Sequence, residues 1–461
     1  NELINIGLIG LGSMGYNLAR NLTSKDFKIC AYEKNITIIR KIEQDKVPSL
    51  FLVKSLKQLI NDTPSPRIIM LSLPANKIDE CIDDIIEFMN PGDIIADLGN
   101  SLYLKSIDRY NRLLKKNISF LGIGVSGGPR GARNGPAIMA GGSEAAWKKV
   151  SHIFHSISAK NGEQNACCYF GSSGSGHFIK LIHNGIEYAL MEALAEISII
   201  LNNAYKLNSS EQVNKLKEVL DTTSSSFLLE ITTKVLDAKN ENNINFIDFV
   251  DSHIGQNGTG VWTINAALDL GVSIPSIYSA VSTRSSSQYF NYDVGQILPY
   301  NNTKNNLNVN DINLEEIVFF NFACSIFQGL NLIKESNRYD FFDFNLQDVF
   351  IAWSAGCILQ GEYLKFISNE FNINKDLNYK FLYELINKKC PNIDQIRDFC
   401  STSIKLGIPS PVLSANLAYY DLVFSNHKIG ETIQLQRSYF GLHPLKQKND
   451  KDPVKPYWTK L

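Results

Sequence analysis

The sequence predicts an α/β domain with a doubly wound parallel sheet, followed by a large all-α domain and a short C-terminal tail. Up to about residue 175, short apolar strand patterns alternate with helical patterns, as in sheets that carry helices on both faces. Beyond that point helical periodicity dominates and strand patterns almost vanish. From Gln436 onward the helical pattern breaks up, so we predict an irregular tail that is either frayed or docked on another surface.

The first domain is predicted from elements that alternate along the chain. Strands are predicted at Ile4–Ile9, Ile29–Tyr32, Ile68–Leu73, Ile94–Asp97, Ser119–Val125 and Ala137–Ala140. Helices are predicted from a glycine-rich turn to about Thr23, at Asp79–Met89 and at Lys105–Lys116. The Pro-interrupted segment between the second and third strands has no predicted element.

The second domain is predicted from helical periodicity alone. Helices are expected over residues 177–206, 209–221, 225–239, 261–270, 276–290, 314–335, 346–369 and 411–425. The longest apolar stretch, Ile317 to Ile333, is interrupted by polar residues, which indicates a buried helix rather than a membrane span.

Composition excludes some classes of function. The chain has 461 residues, 44% of them hydrophobic and 20% charged, with a formal net charge of -1. This balance gives no electrostatic basis for a nucleic-acid partner, and we expect neither nucleic acid nor membrane binding. The eight cysteines form no Cys-x-x-Cys pair, no metal-ligand spacing is evident and the chain opens without a signal pattern, so a cytoplasmic protein is expected.

A glycine-rich turn after the first strand predicts a Rossmann-type dinucleotide site. The turn consists of Gly10, Leu11, Gly12, Ser13, Met14 and Gly15, and it opens a helix. The first glycine permits the tight turn, the second lets a pyrophosphate approach backbone N–H groups, and the third allows close helix packing. A purely structural βα turn is the alternative.

Further candidate residues lie where the other strands end, because ligands of open parallel sheets bind at the carboxyl ends of the strands. Glu33, Lys34 and Asn35 end the second strand; an acid there favours NAD, whereas cations favour NADP, so the residues leave the cofactor open. Contacts to the cofactor are expected from Leu73, Pro74 and Ala75 after the third strand and from Asn100 after the fourth. Asn100 and the residues at the end of the sheet-rich half, Ser126, Gly127 and Gly128, face the crevice where a substrate is expected. A glycine pair such as 127–128 is also compatible with a plain turn.

The most informative feature is a polar stripe on an otherwise apolar helix. A seven-residue step returns to within about 20° of its start, so Lys180 and Glu187 share one face about 10 Å apart along the axis. His183 and Asn184 lie between them. An ion pair on a partly solvated face is one interpretation. The other is a base and an acid that line one pocket.

With these motifs in order, the chain resembles the 6-phosphogluconate dehydrogenases over nearly its whole length. The most specific segment is residues 176–188, Gly-His-Phe-Ile-Lys-Leu-Ile-His-Asn-Gly-Ile-Glu-Tyr. The others are Ser126–Gly128, Gly258–Gly260 followed by Trp262 and Thr263, Arg284, and Arg437–His443.

The resemblance implies a role for each of these residues. Lys180 would be the general base and Glu187 the general acid of an oxidative decarboxylation of 6-phosphogluconate to ribulose 5-phosphate and CO2, with NADP reduced. Substrate contacts would come from Asn100, Ser126, Gly127, Gly128, His183, Asn184, Tyr188, Asn257 and Arg284, and from Arg437 and His443 of a partner subunit in a homodimer. The implied domains are residues 1–175 for the dinucleotide, 176–434 for substrate and dimerisation, and 435–461 as a tail that reaches the partner.

The sequence also departs from the family pattern. Glu33-Lys34-Asn35 replaces Asn-Arg-Thr, so we expect NADP with weak discrimination against NAD. Pro129 replaces a Glu, and Asn257 and Val261 replace two lysines. A charge-assisted hydrogen bond to a phosphate contributes about 1.5–3 kcal/mol, so the loss of one such bond weakens substrate binding by about 10- to 100-fold. Two alternatives stay open: another β-hydroxyacid dehydrogenase, such as one for 3-hydroxyisobutyrate, and a decayed, non-catalytic nucleotide-binding dimer.

Overall fold

The computed structural model describes residues 5–290, 307–339, 342–448, 453–454 and 456–459. The chain divides into two compact units, residues 1–417 and residues 418–461. The first unit contains the sheet and most of the helices. The second is a short C-terminal unit.

The sheet of the first unit has eight strands in the order β10-β7-β6-β5-β4-β1-β2-β3. The strands, with a separate hairpin β8–β9, are β1 Ile6–Ile9, β2 Ile29–Tyr32, β3 Leu50–Leu52, β4 Ile68–Leu71, β5 Ile94–Asp97, β6 Ser119–Ser126, β7 Ala137–Gly142, β8 Lys160–Asn161, β9 Gln164–Asn165 and β10 Cys167–Tyr169. β1 and β5 are buried along their whole length, because helices cover both faces of the sheet. The predicted doubly wound α/β fold class is confirmed.

The sheet departs from the prediction in three ways. β7 runs antiparallel to β6, since only a short helix joins them, whereas a parallel pair needs a longer crossover. β3 and β10 were not predicted, because three residues are too few for a strand period to show. The strand predicted at Ile68–Leu73 ends at Leu71, shortly before Pro74. The predicted start at Ile4 lies outside the described residues.

The helices around the sheet are more numerous than predicted. They are α1 Ser13–Thr23, α2 Ile36–Asp45, α3 Leu56–Asp62, α4 Ile78–Ile85, α5 Tyr103–Leu114, α6 Gly128–Asn134 and α7 Glu144–Ile157. Helices α2, α3, α6 and α7 were missed. Three of them begin with a capping side chain, Asn35 for α2, Ser55 for α3 and Ser143 for α7, which is a signal that the sequence does contain.

The remaining helices of the predicted all-α half follow in chain order. They are α8 Ser175–Asn203, α9 Ser209–Leu220, α10 Phe227–Leu236, α11 Thr259–Leu270, α12 Pro275–Ser286, α13 Leu314–Ser336, α14 Leu346–Trp353, α15 Glu362–Asn374, α16 Tyr379–Lys389, α17 Ile393–Leu406 and α18 Pro411–Phe424. The single helix predicted over 346–369 is wrong: residues 354–361 separate α14 from α15, and Gly356 there has a φ of 71°. Helices α16 and α17 were not predicted.

Two long helices form the centre of the first unit. α8 packs against strands β6 and β7 of the sheet and against helices α11, α12 and α13. α13 is long and apolar enough to cross a membrane, but 89% of its most apolar window is buried inside the protein. The site residues of α8 therefore lie between the sheet and the helical part.

The C-terminal unit is more regular than predicted. Residues 429–441 form α19, Ile429–Gly441, so the helix continues past Gln436, where we predicted irregular chain. Nε1 of Trp458 donates to Oγ of Ser438 over 3.2 Å, and Leu445 pairs with Val454. The tail thus folds back on its own helix.

Candidate active site

The centre of the candidate site is a hydrogen-bonded pair on α8. Nζ of Lys180 donates to Oδ1 of Asn184 over 2.8 Å. The two residues are 7% and 6% exposed, so the amine is largely shielded from bulk solvent. β6 accommodates this helix face because Gly124 has no side chain: a Cβ there would lie 2.4 Å from Cβ of Lys180.

Burial lowers the pKa of Lys180, because surroundings of low polarity disfavour the ammonium form. The negative charge of Glu187 acts in the opposite direction. Among the described residues, no carboxylate pairs directly with Nζ. Lys180 is therefore more easily neutral than an ordinary lysine, which suits a residue that must accept a proton.

Burial raises the pKa of Glu187, while the charges of Lys180 and Arg284 lower it. Its side chain is 26% exposed, and Oε2 lies 3.8 Å from Nδ1 of His183. A carboxyl group with a raised pKa keeps its proton to higher pH and can then donate it. The site thus holds a potential base and a potential acid on one helix face.

His183 lies between them and is fully buried. Nδ1 is 3.2 Å from Oδ1 of Asn184, and Nε2 is 3.3 Å from Oγ of Ser126. Burial and then the charge of Lys180 hold the pKa of His183 well below its usual range, so the ring is neutral. Because an amide oxygen only accepts, we assign the proton to Nδ1, and Nε2 accepts from the Ser126 hydroxyl.

A second group of polar residues continues from Asn184 towards α12. Nδ2 of Asn184 donates to Oγ1 of Thr259 over 3.2 Å, and Thr259 donates to Oδ1 of Asn257 over 2.8 Å. The hydroxyl of Tyr188 donates to the same oxygen over 3.4 Å. The Arg284 guanidinium lies 3.6 Å from the centre of the Tyr188 ring and donates to the backbone of residue 255. A cation is therefore held in place next to the pocket.

Asn100 lies in a loop that follows β5 and is held by a buried ionic network. Asp97 accepts from Oγ of Ser101 over 2.6 Å and from Nη1 of Arg109 over 3.0 Å. Arg109 also forms a bidentate pair with Asp79, at 2.7 and 2.9 Å. Within the described part of the chain the exposed Asn100 side chain makes no hydrogen bond, so it is available to a ligand.

Gly127 and Gly128 form the turn that ends β6, with φ of 118° and 61°. A Cβ on Gly127 would lie 2.5 Å from the carbonyl oxygen of Gly356, so only glycine fits between the sheet and the α14–α15 segment. Pro129 follows in the first turn of α6. Its missing N–H costs nothing there, because the first N–H groups of a helix have no partner within it.

The glycine-rich turn has the geometry of an open anion site. Gly10 has a φ of 92°, and a Cβ on Gly15 would lie 2.0 Å from the Gly10 carbonyl oxygen. A Cβ on Gly12, in contrast, would meet nothing within 4 Å. Gly12 precedes α1 without a side-chain cap, so among the described residues no side chain accepts from the first-turn N–H groups of Ser13 and Met14, which leaves them available to an anion.

A cavity of about 320 Å³ lies beside this turn. It is lined by Gly10, Glu33, Lys34 and Leu73, among others. Pro74 and Ala75 lead from the end of β4 into a short 3-10 turn at the same edge of the sheet. The Asn35 side chain has a structural role, because its Oδ1 accepts from the N–H groups of Thr37 and Ile38 and so caps α2.

The two predicted residues of the tail lie in the C-terminal unit. Arg437 is exposed on α19, where its Nη1 donates to Oε1 of Gln434 over 3.2 Å. His443 is exposed two residues beyond the end of the helix.

Three residues of the pocket were not predicted. Thr259 connects Asn184 to Asn257, and the ring of Trp353 meets the ring of His183 edge-on at 5.7 Å. Cys357 is buried near Lys180, and its Sγ donates to the carbonyl of Trp353 over 3.3 Å. The Gly-Thr-Gly run was a signal for Thr259, whereas Trp353 and Cys357 enter the pocket only through tertiary packing.

Comparison with known families divides the chain close to the start of α8. Residues 5–171 match the model of the NAD binding domain of 6-phosphogluconate dehydrogenase. Residues 176–458 match the model of the 6-phosphogluconate dehydrogenase C-terminal domain.

Individual relatives match over almost the whole chain. The chain is 33% identical to the decarboxylating 6-phosphogluconate dehydrogenase of Caenorhabditis elegans, covering 95% of this chain and 93% of the relative. It is 31% identical to the enzyme of that name from Staphylococcus aureus, over 98% of both chains. Among solved structures, the Plasmodium falciparum 6-phosphogluconate dehydrogenase, studied with NADP+ and with 6-phosphogluconate, matches with a TM-score of 0.88 and 30% identity. This match covers 98% of this chain and 100% of that one.

Proposed function

The chain belongs to the 6-phosphogluconate dehydrogenase family, and on this premise we propose that it oxidises and decarboxylates 6-phosphogluconate with NADP. The products are ribulose 5-phosphate and CO2, a step of the pentose phosphate pathway. The observation that carries the proposal is the buried Lys180, hydrogen-bonded to Asn184 on the helix face that also holds Glu187. Another β-hydroxyacid dehydrogenase is not favoured, because the similarity covers both domains and almost the whole chain.

The residues at the glycine-rich turn fit a dinucleotide. The open space in front of Gly12 and the uncapped start of α1 can take the pyrophosphate, and the cavity at Glu33 and Leu73 can take the adenosine. When bound, the nicotinamide accepts the hydride that leaves C3 of the substrate.

Lys180 performs the proton transfer of the oxidation. Its neutral amine takes the proton of the C3 hydroxyl as the hydride leaves, and this gives a 3-keto acid. The bond between C1 and C2 then breaks, CO2 leaves, and its electron pair forms an enolate. The Lys180 ammonium returns the proton to the enolate oxygen, so the intermediate leaves this step as a neutral enediol.

Glu187 performs the last proton transfer. Its carboxyl group protonates the enediol carbon that becomes C1 of ribulose 5-phosphate, while Lys180 removes the hydroxyl proton as the carbonyl re-forms. The two residues end with exchanged protonation states, and exchange with solvent through the 26% exposed Glu187 side chain can reset them.

We assign the substrate contacts in two groups. Asn100, the turn at Ser126–Gly128, His183 and Asn184 would bind the sugar-acid end. Tyr188, Asn257 and Arg284 would bind the phosphate, because Arg284 provides a positioned guanidinium next to two neutral donors.

We also propose that the enzyme is a cytoplasmic homodimer with shared sites. Arg437 and His443 lie exposed in the tail, where Tyr439 and Phe440 are 67% and 78% exposed. Apolar rings so exposed favour contact with another surface. In a second copy of the chain, the tail would bring Arg437 and His443 to the substrate phosphate.

One assay tests the activity. Purified protein is mixed with 6-phosphogluconate and NADP, and nucleotide reduction, CO2 and ribulose 5-phosphate are measured together. We expect the three to appear in equal amounts. Nucleotide binding without turnover would contradict the proposal and favour a decayed, non-catalytic protein.

Complementation tests the shared site. Lys180→Ala and Arg437→Ala homodimers should both be nearly inactive, and heterodimers of the two should recover part of the activity. Recovery is expected because one of the two mixed sites carries both native residues. If heterodimers are shown to form and no activity returns, the shared-site proposal is contradicted. The proposed reaction itself would not be contradicted by that result.

A further inference from the structure

Glu33 lines the cavity proposed for the adenosine, and three backbone donors fix its carboxylate. Oε2 accepts from N–H of Leu11, within the glycine-rich turn, over 2.7 Å. Oε1 accepts from N–H of Lys34 and N–H of Asn35, over 2.8 and 2.9 Å. A carboxylate with three such bonds is held in one position and cannot easily turn away from a bound nucleotide.

The same cavity is acidic on balance. Its lining includes Glu33, Glu80 and Asp84, against Lys34 and Lys77 as the cations. Nζ of Lys77 pairs with Oε2 of Glu80 at 3.0 Å, so part of the positive charge is already neutralised. The charge of Lys34 acts on the same Glu80 carboxylate, whose pKa is lowered first by the Lys77 hydrogen bond and then by these charges.

NAD and NADP differ at the 2′ position of the adenosine ribose, and the fixed Glu33 carboxylate interacts differently with the two groups found there. The 2′-hydroxyl of NAD can donate to a carboxylate at the end of the second strand, whereas the 2′-phosphate of NADP is a dianion that a carboxylate repels. The backbone N–H groups that could bind the phosphate are occupied by Glu33 itself. Glu33 therefore takes the place that a 2′-phosphate would need.

We infer that Glu33 makes NAD a second working cofactor of this enzyme, by accepting the ribose 2′-hydroxyl and by opposing the 2′-phosphate of NADP. Lys34 and Lys77 leave NADP usable, because they offset part of that repulsion. The inference rests on the proposed function, because its kinetic test requires that the protein turn over 6-phosphogluconate. Nucleotide affinity measured without substrate does not depend on that function.

The test compares the native chain with Glu33→Gln and Glu33→Asn. Glu33→Gln keeps the length of the side chain and removes its charge, and Glu43→Gln is the control, because it removes an exposed carboxylate from α2 outside the cavity. The kcat/KM for NAD and for NADP is measured with 6-phosphogluconate. The Kd of each nucleotide is measured by calorimetry without it.

We expect the native kcat/KM for NADP and NAD to differ by no more than about tenfold, where tenfold corresponds to about 1.4 kcal/mol. Both Glu33 variants should raise the NADP-to-NAD ratio by about tenfold or more, in kcat/KM and in affinity, and Glu43→Gln should leave it unchanged. A native chain that binds NADP alone, or Glu33 variants that leave both ratios unchanged, would overturn the inference. If neither nucleotide is reduced, the proposed function fails while the affinities still decide the role of Glu33.

Discussion

Replacement of Glu187 by Gln should separate the two proton transfers. General acid catalysis contributes about 10²–10⁴ in rate, which is about 2.7–5.4 kcal/mol. Because the Glu187 side chain is 26% exposed, water can replace part of its function, and we expect a loss near the lower end, about 10² in overall turnover. Hydride transfer should continue, since Lys180 and its hydrogen bond to Asn184 remain.

The same substitution should shift the pH dependence of hydride transfer. The charge of Glu187 raises the pKa of Lys180 against the larger effect of burial. Glutamine removes that charge, so the pKa of Lys180 falls further and the amine is neutral at lower pH. The acid limb of the hydride-transfer rate should therefore move to lower pH.

Stopped-flow single turnovers give the hydride step, and formation of ribulose 5-phosphate gives the whole reaction. Glu192→Gln is the control, because it makes the same change five residues further along α8. It should leave the rate of hydride transfer almost unchanged. Equal loss of both steps in Glu187→Gln, or an acid limb at higher pH, would refute the assignment of Glu187 as the acid.

Two further substitutions test the residues around the pair. Arg284→Gln removes a charge that lowers the pKa of Glu187, so the basic limb of turnover should move to higher pH. The KM for 6-phosphogluconate should also rise by at least about tenfold, from the loss of about 1.5–3 kcal/mol of charge-assisted bonding; an unchanged KM would remove Arg284 from the phosphate site. Arg109→Leu leaves the fully buried Asp97 unpaired, so urea denaturation should show a loss of about 3–5 kcal/mol in unfolding free energy. A double variant with Asp97→Asn should recover part of this loss, and no recovery would argue against the ion pair as the cause.

The parts of the site that could be predicted are those encoded in neighbouring residues. The stripe of Lys180, His183, Asn184 and Glu187 follows from the helical repeat, and these four side chains do meet on one face of α8. The glycine-rich turn was visible because three glycines at fixed spacing follow a short apolar strand.

The parts that could not be predicted depend on distant residues. Trp353 and Cys357 enter the pocket because the chain between α14 and α15 returns to the sheet at Gly127, and no local pattern reports this. Strands β3 and β10 are only three residues long, so pairing with neighbouring strands defines them. Helix α19 was not predicted, because its exposed apolar side chains do not produce the stripe of a core-facing helix.

The central claim is that Lys180 is the base that removes the hydroxyl proton during oxidation of 6-phosphogluconate. The most direct measurement is the single-turnover rate of nucleotide reduction by Lys180→Ala, together with its nucleotide Kd. We expect a rate below about 1% of the native rate, because the loss of a general base typically slows a reaction by about 10² or more. The Kd for the nucleotide should be almost unchanged. A variant that binds nucleotide normally and keeps more than about a tenth of the native rate would contradict the claim.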